Sequence, residues 1–218
     1  MTLPSDPIGL AGLQYFGRTT ASVSHELKNA LAIIKENAGL LNDYLLLAEK
    51  GTTIDPARYK TVAVRIEDQT RRADQLIRNM NRFAHSVDSP VQSVVLDDLV
   101  ALLAALSLRE AAMRQVALTV RPTQSTITVT TAPFALLTLL GNCITFALAA
   151  TQPGQTITLG IAPEGHDVQI LFDSLTGLAD MPGEAFPKES DKALLTALNA
   201  RFKADGPAGR MVITLSGR

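Results

Sequence analysis

The chain of 218 residues carries 20 Lys and Arg against 21 Asp and Glu, a formal net charge of −1, so it lacks the basic surplus that binding to nucleic acid phosphates requires. A hydrophobic fraction of 46% supports a real core and excludes a disordered chain, within a length that allows one or two domains. The single cysteine, Cys143, excludes an internal disulfide and has no metal-ligand neighbours, as in a reducing compartment.

The opening MTLPSDPIGLAGL has no basic segment followed by a long apolar run, so it does not read as a signal peptide. From about Ile8 to Glu49 there is no proline, and Val23, Leu27, Leu31, Ile34, Ala38, Leu41 and Leu45 recur at spacings of three and four, one face of a long helix. KGTTIDPARYK breaks the pattern. Asp55 and Pro56 then form an N-cap and first-turn pair opening a second helix, in which Val62, Ile66, Ala73, Ile77, Met80 and Ala84 keep the period and Thr70 interrupts it. Each arm of this hairpin is roughly 45 to 60 Å long at about 1.5 Å per residue. Its stripe is of the kind one partner helix cannot fully cover. A homodimeric four-helix bundle satisfies it economically, and packing on the chain's own second domain is the alternative.

HSVDSPVQS reads as a linker, which divides the chain into a helical domain at 1–88 and a second domain at 89–218. In the second, SVVL reads as a strand and DDLVALLAALSLREAAMR as a helix, with QVALTV and STITVTT as two strands across a turn containing Pro122. The apolar stretch from Pro133 approaches a membrane span in length, but Asn142 at its centre and the lack of a basic flank fit a buried helix, so no membrane segment is expected and the chain reads as cytoplasmic. Strands QTITLGIA and DVQILFD follow around PEGH, then a helix near 190–204 and a last strand RMVITLS. Mixed strands and helices point to an α/β sandwich with helices on one face of a mixed sheet.

On the first helix His25 projects roughly 200° away from both Val23 and Leu27 at about 100° per residue, so it is exposed, with Glu26 adjacent and Asn29 one turn on along the same face. Pattern alone leaves two readings open, a solvated surface histidine or a nucleophile. Phosphoryl transfer to nitrogen needs an exposed imidazole with one nitrogen free and the other held by an acceptor.

SHELKNALAII resembles the H-box of sensor histidine kinases, commonly Ser-His-Glu-Leu-Lys/Arg-Asn/Thr-Pro-Leu, with Ala30 in place of the proline that bends the helix there. The resemblance implies His25 as phospho-acceptor, Glu26 as its acidic partner and Asn29 as the residue that orients water in dephosphorylation. His85 and His166 match nothing in the family. In such kinases an ATPase-like α/β domain follows, and LLTLLGNCITFAL resembles its N-box. Asn142 keeps the magnesium-binding position, while Thr138 replaces the earlier asparagine. ILFDSLTGLAD resembles the first glycine box, Asp-x-Gly-x-Gly: Asp173 stands where the adenine amino group is bound, Gly177 keeps the second glycine, and Leu175 replaces the first.

A branched side chain there occupies the volume that glycine leaves for the nucleotide. The second glycine box should fall near ESDKALLTALNARFKADG, which lacks its glycine pattern and so the phosphate-cradling loop, and the lid at about 178–191 is short. Asn142, Asp173 and Gly177 therefore count as nucleotide-binding residues only if a nucleotide binds; otherwise they are polar remnants in a domain kept for its shape.

The resemblance is closest to histidine phosphotransferases with a degenerate ATP site. It implies a homodimer that passes phosphate between His25 and the aspartates of response-regulator receiver domains, with magnesium brought by the receiver and no intrinsic cofactor or metal. The alternatives are an ATP-dependent sensor histidine kinase, core or fragment, with a divergent pocket for Mg-ATP, and a non-catalytic dimeric scaffold.

Overall fold

A computed structural model describes residues 7–183 and 186–216. The MTLPSD of the N-terminal reading and two residues of the lid, 184 and 185, lie outside them. The chain divides into two compact units, Thr20–Arg82 and Met1–Thr19 together with Phe83–Arg218.

The first unit is the hairpin. Helix α1 runs unbroken from Pro7 to Glu49, and α2 from Pro56 to Ala84. Asp55 caps α2 as its position dictates, its Oδ1 accepting the Ala57 N–H at 2.8 Å. Gly51, at φ +84, makes the left-handed turn that ends α1. Val23, Ala30 and Asn37 of α1 are buried at seven-residue intervals, and Val62, Ala73 and Asn79 of α2 are buried too. Ala30, at 1% exposure, is the deepest of them, so the position where the family carries proline is here the small residue that lets the helices approach. Tyr44 meets Tyr59 edge to face at 5.8 Å near the loop. This seam is narrower than the apolar stripe of the sequence. Leu31 at 54% and Ile77 at 46% stay exposed, with Leu45 and Val64, because two helices cover only a thin line of each other.

The second unit holds strand β1 (Gln92–Val95), helix α3 (Leu96–Met113), β2 (Ala117–Val120), β3 (Thr128–Thr131), α4 (Pro133–Ala149), β4 (Thr156–Glu164), β5 (Asp167–Asp173), α5 (Glu189–Ala197), β6 (Ala200–Asp205) and β7 (Arg210–Leu215). A five-stranded mixed sheet runs β2-β4-β5-β7-β6, with β2 parallel to β4 and the other pairs antiparallel. Ile157, Leu159, Ile170, Phe172, Met211 and Ile213 are fully buried and line the face under the helices. The α/β sandwich expected from the order of elements is the one observed.

Two details differ from expectation. The strands on either side of Pro122 do not form a hairpin: β3 pairs with β1 in a separate two-stranded sheet, while β2 joins β4. The segment 121–127 between them is longer than the two to five residues that close most hairpins. The last helix ends at Ala197 and ARFKAD is a strand, because Asn199 takes φ +49 and stops the helix.

The compact α/β unit takes in the end of α2 from Phe83 and the start of α1, for a reason visible in the packing. Phe83, fully buried, stacks on Phe16 at 5.5 Å, meets Tyr15 edge to face at 5.5 Å and lies 5.9 Å from Phe134 of α4. This aromatic cluster binds the start of α1 and the end of α2 into the α/β unit. Cys143 is buried within α4, its thiol pushed up by burial and by the nearby Asp191, so it is not a reactive nucleophile. Among the described residues, no helix is long and apolar enough to cross a membrane.

Candidate functional site

His25 stands exposed on α1, as its phase relative to Val23 requires. Its Nδ1 lies 3.2 Å from the Asn29 side-chain nitrogen, one helical turn away. Glu26, the expected acidic partner of the ring, accepts a charge-assisted hydrogen bond from Arg72 across the hairpin. With the amide donating to Nδ1, the neutral ring carries its proton on Nε2. Rotating the amide by half a turn puts Oδ1 in the same place, moves the proton to Nδ1 and leaves Nε2 with a free lone pair. The Asn29 amide is thus compatible with either tautomer of this imidazole.

Asn142 sits on α4, where it looks like the N-box residue of a nucleotide site. Its Oδ1, the atom a magnesium ion would need, accepts from Arg18 at 3.1 Å. Its Nδ2 donates to Asp191 Oδ1 at 2.8 Å, and Asp191, at 1% exposure, also accepts the Lys188 N–H at 2.9 Å. The neighbouring Gly141 is where the Tyr15 ring lies against the helix backbone; a Cβ there would stand 2.8 Å from the phenol oxygen. Burial pushes the Tyr15 phenol up to about 12. Thr138, in the place of the other N-box asparagine, is fully buried and returns its hydroxyl to Phe134 O at 2.8 Å.

Asp173 belongs to a different cluster. Strand alternation puts it with Gln169 and Leu171, on the opposite face from the buried Ile170 and Phe172. There Arg210 and Arg121 hold its carboxylate, the latter at 3.2 Å, reaching over Gly160. Among the described residues Asn142 and Asp173 share no partner, so two residues expected in one nucleotide site are satisfied separately there. Leu175 is buried and its N–H is bonded to Gly209 O at 2.9 Å. Gly177 donates its N–H to Ala150 O at 2.7 Å, and a Cβ would meet that oxygen at 3.1 Å, so the retained glycine serves a close approach to the end of α4. Phe186, in the lid, stacks on Phe146 at 5.3 Å and meets Phe202 at 5.0 Å. The Asn142 amide, the Asp173 carboxylate and the Gly177 N–H, the groups expected at a nucleotide, are all bonded within the chain.

Sequence reading missed Arg18, Tyr15, Arg121, Arg210 and Asp191, the residues that occupy these groups. The one local signal was a glycine inside an otherwise apolar helix, which marks a close approach.

Residues 17–87 match the family model described as His Kinase A (phospho-acceptor) domain. The search of curated proteins gives no match. Among solved structures, the chain is similar to Acinetobacter baumannii histidine kinase AdeS, with 11% identity, 88% of this chain and 97% of that one covered and a TM-score of 0.49. A histidine kinase from Burkholderia phymatum STM815 gives 15% identity, 92% and 97% coverage and a TM-score of 0.46. The catalytic domain of histidine kinase ThkA gives 10%, 59% and 97%, with a TM-score of 0.48. His25 lies inside the matched segment, so residues 17–87 are a domain of the phospho-acceptor type found in histidine kinases.

Proposed function

We infer that this chain carries a phosphoryl group on His25 and exchanges it with aspartates of response-regulator receiver domains, without using ATP. The ring is exposed and its Nδ1 has a partner compatible with the tautomer that frees Nε2, so Nε2 attacks the phosphorus of an aspartyl phosphate in line. The P–O bond to the carboxylate breaks and an N–P bond forms; the reverse step loads a second receiver. Magnesium comes with the receiver. The observation that carries the ATP-independent reading is the capture of Asn142 Oδ1 by Arg18, together with the pairing of Asp173 to Arg121 and Arg210.

A second reading, an ATP-dependent sensor kinase core, is favoured by the family match, whose name is that of a kinase domain and which supports a kinase better than a pure phosphotransferase. The exposed Leu31, Leu45, Val64 and Ile77 support a homodimer in either case.

Incubation of the chain with γ-labelled Mg-ATP, and separately with a phosphorylated receiver, decides between the readings. A phosphotransferase takes label only from the receiver, on His25, and shows no thermal shift with Mg-ATP. A kinase labels His25 from ATP and is stabilised by it, by a few kcal/mol at a large excess over the dissociation constant. Unchanged phosphate traffic in His25→Gln would refute both.

A further inference from the structure

His85 and Asp88 stand outside the H-box, just after the end of α2. The His85 Nδ1 lies 2.7 Å from Asp88 Oδ2, and the side chains are 76% and 63% exposed. With a carboxylate accepting from Nδ1–H, the neutral ring is held in the tautomer whose Nε2 lone pair is free and faces solvent. The arrangement is the one that a nitrogen nucleophile needs.

The pair is also well supported, although it lies on the surface. Residues His85–Val87 form a single 3-10 turn, and the Asp88 N–H closes it onto His85 O at 3.2 Å. Between the two, Ser86 is buried and donates to Phe83 O at 2.6 Å, and Phe83 is the fully buried centre of the aromatic cluster. The backbone that carries both side chains is thus anchored at each step, so the imidazole and carboxylate keep their spacing. Val87 and Val91 are more than half exposed in the same segment, an apolar surface beside the ring on which a partner protein could rest.

The chain holds its own control. It has three histidines. His166, in the turn between β4 and β5, is exposed too but has no hydrogen-bonding partner among the described residues. His25 has an amide on Nδ1, and His85 has a carboxylate there.

We propose that His85 is a second phospho-accepting imidazole, positioned by Asp88, that takes its phosphoryl group from acyl phosphates. Nε2 attacks phosphorus, the bond from phosphorus to the acyl oxygen breaks, and the carboxylate leaves with the electron pair. The Nδ1 proton stays on the Asp88 hydrogen bond, where the carboxylate offsets the positive charge that develops on the ring. The reaction needs no nucleotide and does not depend on His25.

The test uses the full chain carrying His25→Gln. Acetyl phosphate is the small-molecule probe, and a receiver domain carrying its aspartyl phosphate is the protein probe. Labelling of residue 85 by the first, the second or both supports the proposal and identifies the source. Phosphorus NMR should show the Nε2 isomer alone. Asp88→Asn should slow labelling by about tenfold or more and let the Nδ1 isomer appear, while Asp88→Glu should restore rate and isomer. Peptide mapping of the unmodified chain reads His25 and His85 separately, so failure at one is distinguished from failure at the other. The proposal is overturned if neither probe labels residue 85, if His166 labels as fast, or if Asp88→Asn changes neither rate nor isomer.

Discussion

Gly141→Ala is a one-methyl change on a helix, where alanine is ordinarily preferred by about 1 kcal/mol. Here the sign should reverse. The added Cβ would lie 2.8 Å from the Tyr15 phenol oxygen, 2.5 Å from Cζ and nearer still to Cε2. The helix backbone cannot retreat within a packed core, so the Tyr15 ring must leave its place against Phe83, where it is only 6% exposed. Overpacking of this kind costs about 1–3 kcal/mol, and complete loss of a large aromatic contact about 3–5 kcal/mol. A loss of about 2–3 kcal/mol is therefore expected for Gly141→Ala alone. In a Tyr15→Ala background the clash is gone, and Gly141→Ala should become neutral or stabilise by up to about 1 kcal/mol. Urea unfolding followed by far-UV circular dichroism on the four chains of this cycle measures a coupling of about 3 kcal/mol. If Gly141→Ala costs the same in both backgrounds, Tyr15 does not occupy the surface of α4 and the account of that helix fails.

The buried phenol gives a pH dependence. Tyr15 titrates at about 12 in the folded chain against 10.0 unfolded, so its protonated form stabilises the fold fully below pH 10. That contribution, on the order of 2–3 kcal/mol, is lost as pH rises from 10 through 12. Unfolding curves of the wild type and Tyr15→Phe across that window should diverge by this amount, the wild type falling faster. Asp191→Ala leaves the Asn142 amide and the Lys188 N–H without their acceptor, and should cost about 3 kcal/mol by urea midpoint, with Asp191→Asn, which keeps an acceptor, nearer half. Leu31→Asp puts a charge on the exposed stripe of the hairpin. Sedimentation velocity should show a dimer weakened by at least about 1.5 kcal/mol, roughly the value of burying one leucine, with the hairpin's helix content unchanged.

The hairpin could be read from the sequence because its signals are local. The period of three and four, the Asp55–Pro56 start and the break at Gly51 each act within a turn or two of where they stand. The phase of His25 is local in the same way, and its exposure followed from Val23 and Leu27 alone. What could not be read was pairing at long range. Nothing near Val120 tells it to lie beside Leu159, and nothing near Thr128 tells it to leave for β1. The alternation of ARFKAD is a strand signal, but the helix-favouring residues just before it hid it until Asn199 was seen to turn left-handed. The candidate site divides by the same rule. Motif spacing located Asn142 and Asp173, but whether their polar atoms are free is decided by Arg18, Arg121, Arg210 and Asp191, which lie between 37 and 124 residues away from their partners in the chain. Glu26 shows it again: its ion pair is with Arg72, 46 residues further along the chain.

On the proposed ATP-independent reading, repairing one motif residue should not bring about nucleotide binding. In a domain that cycles ligand, the polar groups of the site are satisfied by ligand or by water; here they are satisfied by the chain, so the ligand-free fold is the fully bonded one. Leu175→Gly returns the glycine of the first box and opens the volume a buried leucine fills. It should cost about 2–5 kcal/mol for the lost side chain, read as a lower urea midpoint. Yet Asp173 would remain bound to two arginines on the far side of the sheet, and Asn142 Oδ1 would remain with Arg18. Mg-ATP should therefore give no thermal shift in Leu175→Gly. A stabilisation by Mg-ATP in that variant, absent in the wild type, would mean that Leu175 alone blocks the site and that the ion pairs at Asp173 and the bond at Asn142 give way to a nucleotide.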